Sequence, residues 1–421
     1  MMPLALPCFL WFLVMLNWFR FRDILYPGFL QSFVWATIVS LFSVFQNDFM
    51  PISFITWLVI GLGVIAFSMG SFISTCGHSP FRLYNKVRTL PMHLPTFLLI
   101  ILIILFLPVF IKKAYMFYVG GPFDNGFMNL RYALSTNSEQ TGGYGILKYL
   151  VPIAFFVASQ QILRVAHIFS KREKVLAFIS IVAAVTYGLL SSGRSTLIMF
   201  MLTAFSIPIV LRRIRPIRSG SVFFFVLFIF FVLHGILMGK GGSLNQSWSE
   251  NIFSMLRTIE TYLLSSIPAL NFQLHINPDY GIAHTFRTIF ALLHAIGFDF
   301  NVKPLVKNFV GTPFLTNVYT LYQPYYLDYG LMALPFFQFG FGFLHGALYR
   351  KATIYRPASV YIFFFSLSMC PLFLQFFNDQ YFSLMSQWMQ YLTYSIVFCV
   401  FLSRRMPGYN HDRYHHRQLE F

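Results

Sequence analysis

Charge is scarce in this sequence. Asp, Glu, Lys and Arg make up 10% of the 421 residues, against about 25% in an ordinary soluble domain. Hydrophobic residues make up 57% of the chain, and the mean hydropathy is +0.66. A water-soluble globule cannot hide that much apolar surface, because its exterior must stay polar. A disordered chain would be less hydrophobic. The composition therefore predicts an all-α polytopic membrane protein.

Motifs for redox, metal or nucleotide chemistry are also missing. The four cysteines lie in or beside apolar runs, and the sequence has no CxxC pair, so we expect no disulfide and no structural zinc. It has no P-loop, no HExxH and no Asp-x-Asp pair. The glycines of 61–66 resemble a nucleotide fingerprint but lie inside an apolar run, which favours helix packing. We expect Gly340, Gly342 and Gly346 to pack closely as well. The sequence predicts no metal and no other cofactor.

Eleven apolar runs are long enough to be transmembrane helices. The first has no cationic start and no cleavage site before Arg20, so we expect it to be a span and not a removed signal peptide. The predicted spans are 4–19, 24–45, 52–73, 96–118, 146–166, 175–191, 195–211, 221–239, 330–349, 358–377 and 381–403.

The links between these runs differ sharply in charge. One set carries 20 Lys and Arg against 4 acids, and the other carries 10 against 9. Lys and Arg concentrate in short cytoplasmic loops, so the N-terminus is predicted outside and the C-terminus in the cytoplasm. The net charge of +17 then reports topology and not nucleic-acid binding. The predicted organisation is helices 1–8 in 1–239 with an outer loop at 112–148, a large outer loop at 240–329, helices 9–11 in 330–403 and a tail at 404–421.

The large outer loop begins at Lys240 and contains two predicted helical stretches. Ser247 and Glu250 fit a capping box at the start of an amphipathic helix. Arg257 lies on the polar stripe of that helix, which either lies on the bilayer or turns Arg257 into a substrate cavity. Further along, His284 and Arg287 are spaced i, i+3 and are predicted to share one helical face. They are either locally satisfied or part of a site.

Five tyrosines fall between 319 and 329, just before the ninth span. Tyr319, Tyr322 and Tyr325 are candidates to bind sugar, because tyrosine combines an apolar face with a polar tip. An interfacial aromatic belt explains the same residues equally well. Asp328, at the mouth of the ninth span, is the acid that stands out.

Arg194 occupies a tight Ser-Ser-Gly-Arg-Ser turn between the sixth and seventh spans, on the predicted outer face. An arginine at the bilayer boundary costs free energy unless it is hydrated or paired, which makes it a functional candidate. The alternative is that its side chain simply extends to the interface. A glycosyl donor outside the membrane must arrive activated, for instance as a polyprenyl diphosphate. Arginines could hold such a leaving group bidentately.

In these features the chain resembles the Wzy family, the bacterial O-antigen and oligosaccharide repeat-unit polymerases. The resemblance rests on Phe21–Pro27, on the arginine turn 192–195, on 317–330 and on the order of eleven spans. It implies a GT-C-like, metal-independent glycosyltransferase of the bacterial inner membrane. Such an enzyme transfers a growing glycan from one undecaprenyl pyrophosphate to a new lipid-linked repeat unit, with inversion at the anomeric carbon.

The resemblance also implies roles for individual residues. Arg194 would bind a pyrophosphate, as would Arg257 and Arg287, Lys240 would help to bind the substrate, and His284 or Asp328 would act as the base. The expected partners are membrane lipid, the lipid-linked oligosaccharide, and the flippase, chain-length regulator and ligase of the pathway. The alternatives are an O-antigen ligase, a lipid-linked oligosaccharide flippase or other transporter, and a structural membrane protein. Because the notable charges lie in outer loops and not within spans, an enzyme is favoured.

The absence of a metal motif generates a testable expectation. Polymerising activity of the purified protein should be unchanged by EDTA, because arginines in place of Mg²⁺ would stabilise the departing diphosphate. The measurement is the rate of glycan elongation with and without chelator. Strong inhibition that Mg²⁺ reverses would contradict the expectation.

Overall fold

The computed structural model describes residues 2–78, 87–136, 142–237, 247–304, 307–312 and 314–405. Over these ranges the chain is mostly helical. Its first part contains α1 (Met2–Phe21), α2 (Pro27–Phe45), α3 (Phe54–Ser74), α4 (His93–Val119), α5 (Gly126–Arg131), α6 (Leu150–Ile168), α7 (Lys171–Leu190), α8 (Arg194–Val210) and α9 (Pro216–Leu237).

The second part contains α10 (Trp248–Leu264), α11 (Ser266–Leu274), α12 (Arg287–Ala295), α13 (Tyr322–Tyr329), α14 (Ala333–Ala352), α15 (Ser359–Phe373) and α16 (Met385–Ser395). Short 3-10 turns span Gln46–Asp48 and Gly145–Tyr149, and π-helical turns span Tyr132–Thr136 and Ile396–Phe401. The strands β1 (Thr89–Pro91) and β4 (Ser403–Arg405) pair antiparallel, as do β2 (Val310–Gly311) and β3 (Leu315–Thr316).

Six helices are long and apolar enough to cross a membrane by length and composition: α2, α3, α4, α6, α7 and α9. Three shorter helices, α1, α8 and α15, are also apolar. The helix α4 shows why lipid is the natural surrounding. Leu98 and Leu105 on it are 56% and 67% exposed, although burying one leucine in apolar surroundings is worth roughly 1.5–3 kcal/mol. The helical, membrane-embedded class predicted from composition is therefore supported, and the eleven predicted runs all fall largely on helices.

The links between helices form two groups, each held together by its own contacts. In one group, Asp23 forms an ion pair with Arg212 and accepts a hydrogen bond from the Tyr349 hydroxyl at 2.8 Å. In the same group, β1 lies beside β4 and next to Ala358. In the other group, Ser53 donates to Asn271. Each of these contacts joins links that the charge pattern assigns to the same set.

A buried ion pair fixes the α6–α7 hairpin at the basic group of links. The Arg164 guanidinium donates to both carboxylate oxygens of Glu173, at 3.1 and 2.9 Å, and also to the carbonyl of Pro91. Both side chains are almost fully buried. A buried pair of this kind contributes little net stability, but removing one partner leaves a costly unpaired charge.

The closest helix contact joins α3 to α14. A Cβ on Gly342 would lie 2.0 Å from the carbonyl oxygen of Phe67, and one on Gly346 would lie 2.0 Å from the Ser74 hydroxyl. These glycines allow backbone-to-backbone packing, which drives helix association where lipid removes the hydrophobic effect. The expectation of close packing is confirmed for Gly342 and Gly346. It is wrong for Gly340, where a Cβ would meet no atom within 4 Å, because that position points away from α3.

The contrast between two glycines on one helix gives a matched test. Gly342→Leu should lower the free energy of unfolding by about 1–3 kcal/mol through overpacking, whereas Gly340→Leu should leave it nearly unchanged. The measurement is the thermal midpoint of each purified variant in detergent. Equal midpoints for the two variants would show that the α3–α14 contact is not as close as described.

Candidate functional site

The arginine turn is built by the helix ends around it. Ser192 has a left-handed φ of 57°, and the carbonyl of Leu190 accepts a 2.7 Å hydrogen bond from the Tyr144 hydroxyl. The helix α8 begins at Arg194, and Gly193 gives it no side-chain cap. The backbone of Arg194 is described, and its side chain lies outside the description. The turn thus presents the start of a helix, where backbone N–H groups favour an anion.

A large apolar cavity of about 640 Å³ lies against this turn. Its walls come from α2, α8, α9, α10 and the end of α15, and its few polar groups come from Thr37, Ser192, Ser195 and Tyr262. An apolar chamber with a few polar groups at one side suits a ligand with a hydrocarbon chain and a polar head.

A second apolar cavity, of about 370 Å³, adjoins the first along α2 and α10. Leu41, Ile259 and Leu263 line both cavities. Arg257 and Glu260 lie at the smaller one. The guanidinium of Arg257 stacks over the ring of Phe314, 4.7 Å from its centroid, and forms no ion pair with Glu260. Arg257 is exposed and lies in the lining of this cavity, so both interpretations of Arg257 stay open.

Arg131, which sequence reasoning missed, lies near the larger cavity. It ends α5, and Asn125 fixes the start of that helix by donating to the carbonyl of Leu237 at 3.3 Å. Burial lowers the pKa of the Arg131 guanidinium, and the nearby Tyr262 opposes this shift. Because Tyr262 also lines the cavity, the half-buried charge of Arg131 acts on one residue of the cavity wall. No local motif marks this arginine, so only the fold could reveal it.

The capping box predicted for the large loop is confirmed. The Ser247 side chain accepts from the Glu250 N–H, and the Glu250 carboxylate accepts from the Ser247 N–H. Glu250 is therefore committed to starting α10, the helix that carries Arg257 and Tyr262. Lys240 lies outside the described residues, as does the tail from 406 onward.

His284 and Arg287 do not share a helical face, so that prediction is wrong. The helix α12 begins only at Arg287, because the N–H groups of His284 and Thr285 donate to Asp328, at 3.2 and 2.7 Å. The His284 ring bonds to Asp279 at 2.8 Å, and Lys303 reaches the same carboxylate at 3.0 Å. These two bonds hold the pKa of Asp279 below its usual value.

Arg287 donates from Nε to the carbonyl of Lys303 at 2.7 Å, and burial lowers its pKa. It therefore braces the loop after α12. Asp328 is buried, and each of its oxygens accepts a backbone N–H. A carboxylate held in this way organises the chain around it, since both oxygens are already hydrogen-bonded.

The three candidate tyrosines are buried in the protein. The Tyr319 hydroxyl donates to the carbonyl of Asn308 at 3.0 Å. Tyr322 packs against Trp35 and over Gly63, where a Cβ would lie 2.0 Å from its hydroxyl. Tyr325 donates to Asp379 at 2.8 Å. These contacts account for the tyrosines without a sugar. They confirm that Gly63 serves packing.

Comparisons with known protein families, curated proteins and solved structures return no match for this chain. In the described ranges, no three His, Cys, Asp or Glu side chains are grouped so that they could hold a metal ion. The Arg257 guanidinium at the smaller cavity and the backbone N–H groups at the start of α8 beside the larger one are thus available to an anion at this end of the bundle.

A structural role and a catalytic role for Asp328 predict different effects of removing its carboxylate. Asp328→Ala should destabilise the protein by roughly 1–3 kcal/mol or more, because two buried N–H groups lose their acceptor. His284→Ala removes only a partly exposed pair and should cost less than about 1 kcal/mol. Thermal midpoints in detergent compare them. An Asp328→Ala variant as stable as the parent would instead favour a catalytic role.

Proposed function

We propose that the chain is an O-antigen polymerase of the Wzy type, acting in the synthesis of lipopolysaccharide O-antigen or of a capsule. It joins undecaprenyl-pyrophosphate-linked oligosaccharide repeat units without a metal, at the periplasmic face of the bacterial inner membrane. In this topology the N-terminus is periplasmic and the C-terminus cytoplasmic. The eleven helical runs and the outer loop that contains α10–α13 fit such a GT-C-like enzyme.

The single observation that carries the proposal is the apolar cavity beside the arginine turn. A polyprenyl diphosphate has a long hydrocarbon chain and a doubly charged head. The cavity offers apolar walls for the chain, and Ser192, Gly193 and Ser195 in its lining bring the start of α8 next to the place where the head would lie. A soluble sugar or an ion would need a polar chamber instead.

The adjoining smaller cavity fits the need for two substrates. Both the donor and the acceptor of a polymerase are lipid-linked, so two lipid chains must lie side by side. The larger cavity lies near Arg131 and the turn of Arg194, and the smaller one lies at Arg257. Leu41, Ile259 and Leu263 separate them and would separate the two chains. Each lipid-linked substrate would thus have an arginine near its diphosphate.

The chemistry follows from this arrangement. The acceptor hydroxyl attacks the anomeric carbon of the donor glycan from the side opposite the diphosphate, the bond to the diphosphate oxygen breaks, and the configuration inverts. Arg131 and Arg194 stabilise the charge that grows on the leaving diphosphate, which preorganised cations in a poorly solvated site do well. The hydroxyl proton goes to a base on the protein.

The expected result of removing either arginine is a large loss of rate. Arg194→Ala and Arg131→Ala should each slow glycan elongation by about 100-fold or more, whereas Lys148→Ala, which removes an exposed cation of the same outer loop as Arg131, should change it less than threefold. The measurement uses purified protein in lipid nanodiscs with a lipid-linked repeat unit, read as a ladder of products.

The outcomes separate the proposal from its rivals. Normal ladders from Arg194→Ala, with the protein inserted, would remove Arg194 from the site. In a deletion strain, loss of a polymerase leaves single repeat units on the lipopolysaccharide core. Loss of a ligase instead leaves the core bare while lipid-linked polymer accumulates, and that pattern would overturn the assignment.

A further inference from the structure

Lys307 lies in the outer loop after α12, in an unusual setting for a lysine. Its ammonium donates to the side-chain oxygen of Asn378 at 2.7 Å and lies over the ring of Tyr319, 5.6 Å from the centroid. No ion pair within 4 Å joins it to a carboxylate in the described ranges. The nearest acid, Asp379, already accepts from Tyr325 and from Ser383. The groups in direct contact with the Lys307 ammonium, Asn378 and Tyr319, are therefore neutral.

The partner of Lys307 directly follows the wall of the larger cavity. Phe377 lines that cavity and contacts the ring of Tyr262 at 5.6 Å, and Asn378 is the next residue. Asn378 is rigidly placed because its side-chain oxygen also accepts the N–H of Asp379 at 2.9 Å. Tyr262 therefore packs against Phe377 and also interacts electrostatically with Arg131. Lys307 is thus bonded to the residue that directly follows a cavity-lining residue in the chain.

The two bases expected from sequence are less suited to the task. Both oxygens of Asp328 hold backbone N–H groups. The Nε2 of His284 is bonded to Asp279, which Lys303 also binds, and within the described ranges none of these three residues lines the cavity. A proton acceptor for the acceptor hydroxyl is therefore better sought beside Asn378.

We propose that Lys307 is the general base of the transfer, held by Asn378 at the edge of the larger cavity. The neutral amine takes the proton of the acceptor hydroxyl while the new glycosidic bond forms, and the bond from the anomeric carbon to the diphosphate oxygen breaks. The ammonium later releases its proton to solvent. This inference rests on the proposed function, and it names the base that the proposed function leaves open.

The environment of the amine agrees with that role. Burial lowers the pKa of Lys307 to about 8, and the Asp379 carboxylate opposes the shift. The other groups that face it, Tyr319 and Asn378, are neutral at that pH. A base with this pKa is neutral above about pH 8, so the rate should rise with pH through that value and then level off. An ordinary lysine would be almost fully protonated there.

The decisive variants are Lys307→Arg and Asn378→Asp, assayed as kcat/KM for elongation against pH. Lys307→Arg keeps the charge and the bond to Asn378 but cannot deprotonate, so it should lose about 100-fold or more and lose the rise near pH 8. Asn378→Asp places a carboxylate against the amine and should move the rise upward by about one pH unit or more. Lys303→Arg is the control and should keep the parent profile.

Each of these measurements supports or contradicts the role of Lys307 as the base. If the kcat/KM of Lys307→Arg stays within threefold of the parent and its pH profile is unchanged, Lys307 only stabilises the link between α15 and α16. An Asn378→Asp profile that does not move would also overturn the assignment. Thermal midpoints and binding of the lipid-linked substrate, expected to match the parent for both variants, exclude misfolding. If the parent makes no polymer at any pH, the proposed function itself fails, and this inference fails with it.

Discussion

The close approach of α3 to α14 is the contact on which the candidate site depends. In a membrane, apolar side chains gain little by leaving lipid for protein, so helices must associate through tight backbone packing. Gly342 and Gly346 provide this packing against α3. Gly63, on the same helix α3, leaves room for Tyr322 and so seats α13. Tyr325, one turn further along α13, then reaches Asp379.

The hydrogen bonds of Asp379 connect this helix packing to the candidate site. Asp379 accepts the N–H groups of Tyr381 and Ser383, which fixes the link between α15 and α16. That link carries Phe377 into the cavity wall and Asn378 onto Lys307. A buried carboxylate with this many donors is an effective anchor, since each bond to it is charge-assisted. A glycine contact inside the bundle thereby positions groups at its outer end.

Sequence reasoning was most successful where one local pattern has one physical outcome. Apolar runs gave the helices, and Ser247 with Glu250 gave the capping box. It failed for His284 and Arg287, because Asp328 is 44 residues away from His284 and no local pattern reveals that its oxygens delay the start of α12. It also missed Arg131 and Lys307. Each is an ordinary loop cation in the sequence and becomes distinctive only through Tyr262 or Asn378.

The few acidic residues near the candidate site are already engaged in hydrogen bonds. Asp328 and Asp379 are consumed by backbone and hydroxyl donors, and Glu250 caps a helix. A carboxylate base is negative before transfer and neutral afterwards, so it repels the diphosphate at the start and supplies no positive charge at the end. An amine base gains the same single positive charge on taking the proton, but it is neutral before transfer and positive afterwards. The cation it becomes would stabilise the same transition state that the arginines stabilise, so a nitrogen base suits a diphosphate leaving group in a site without metal.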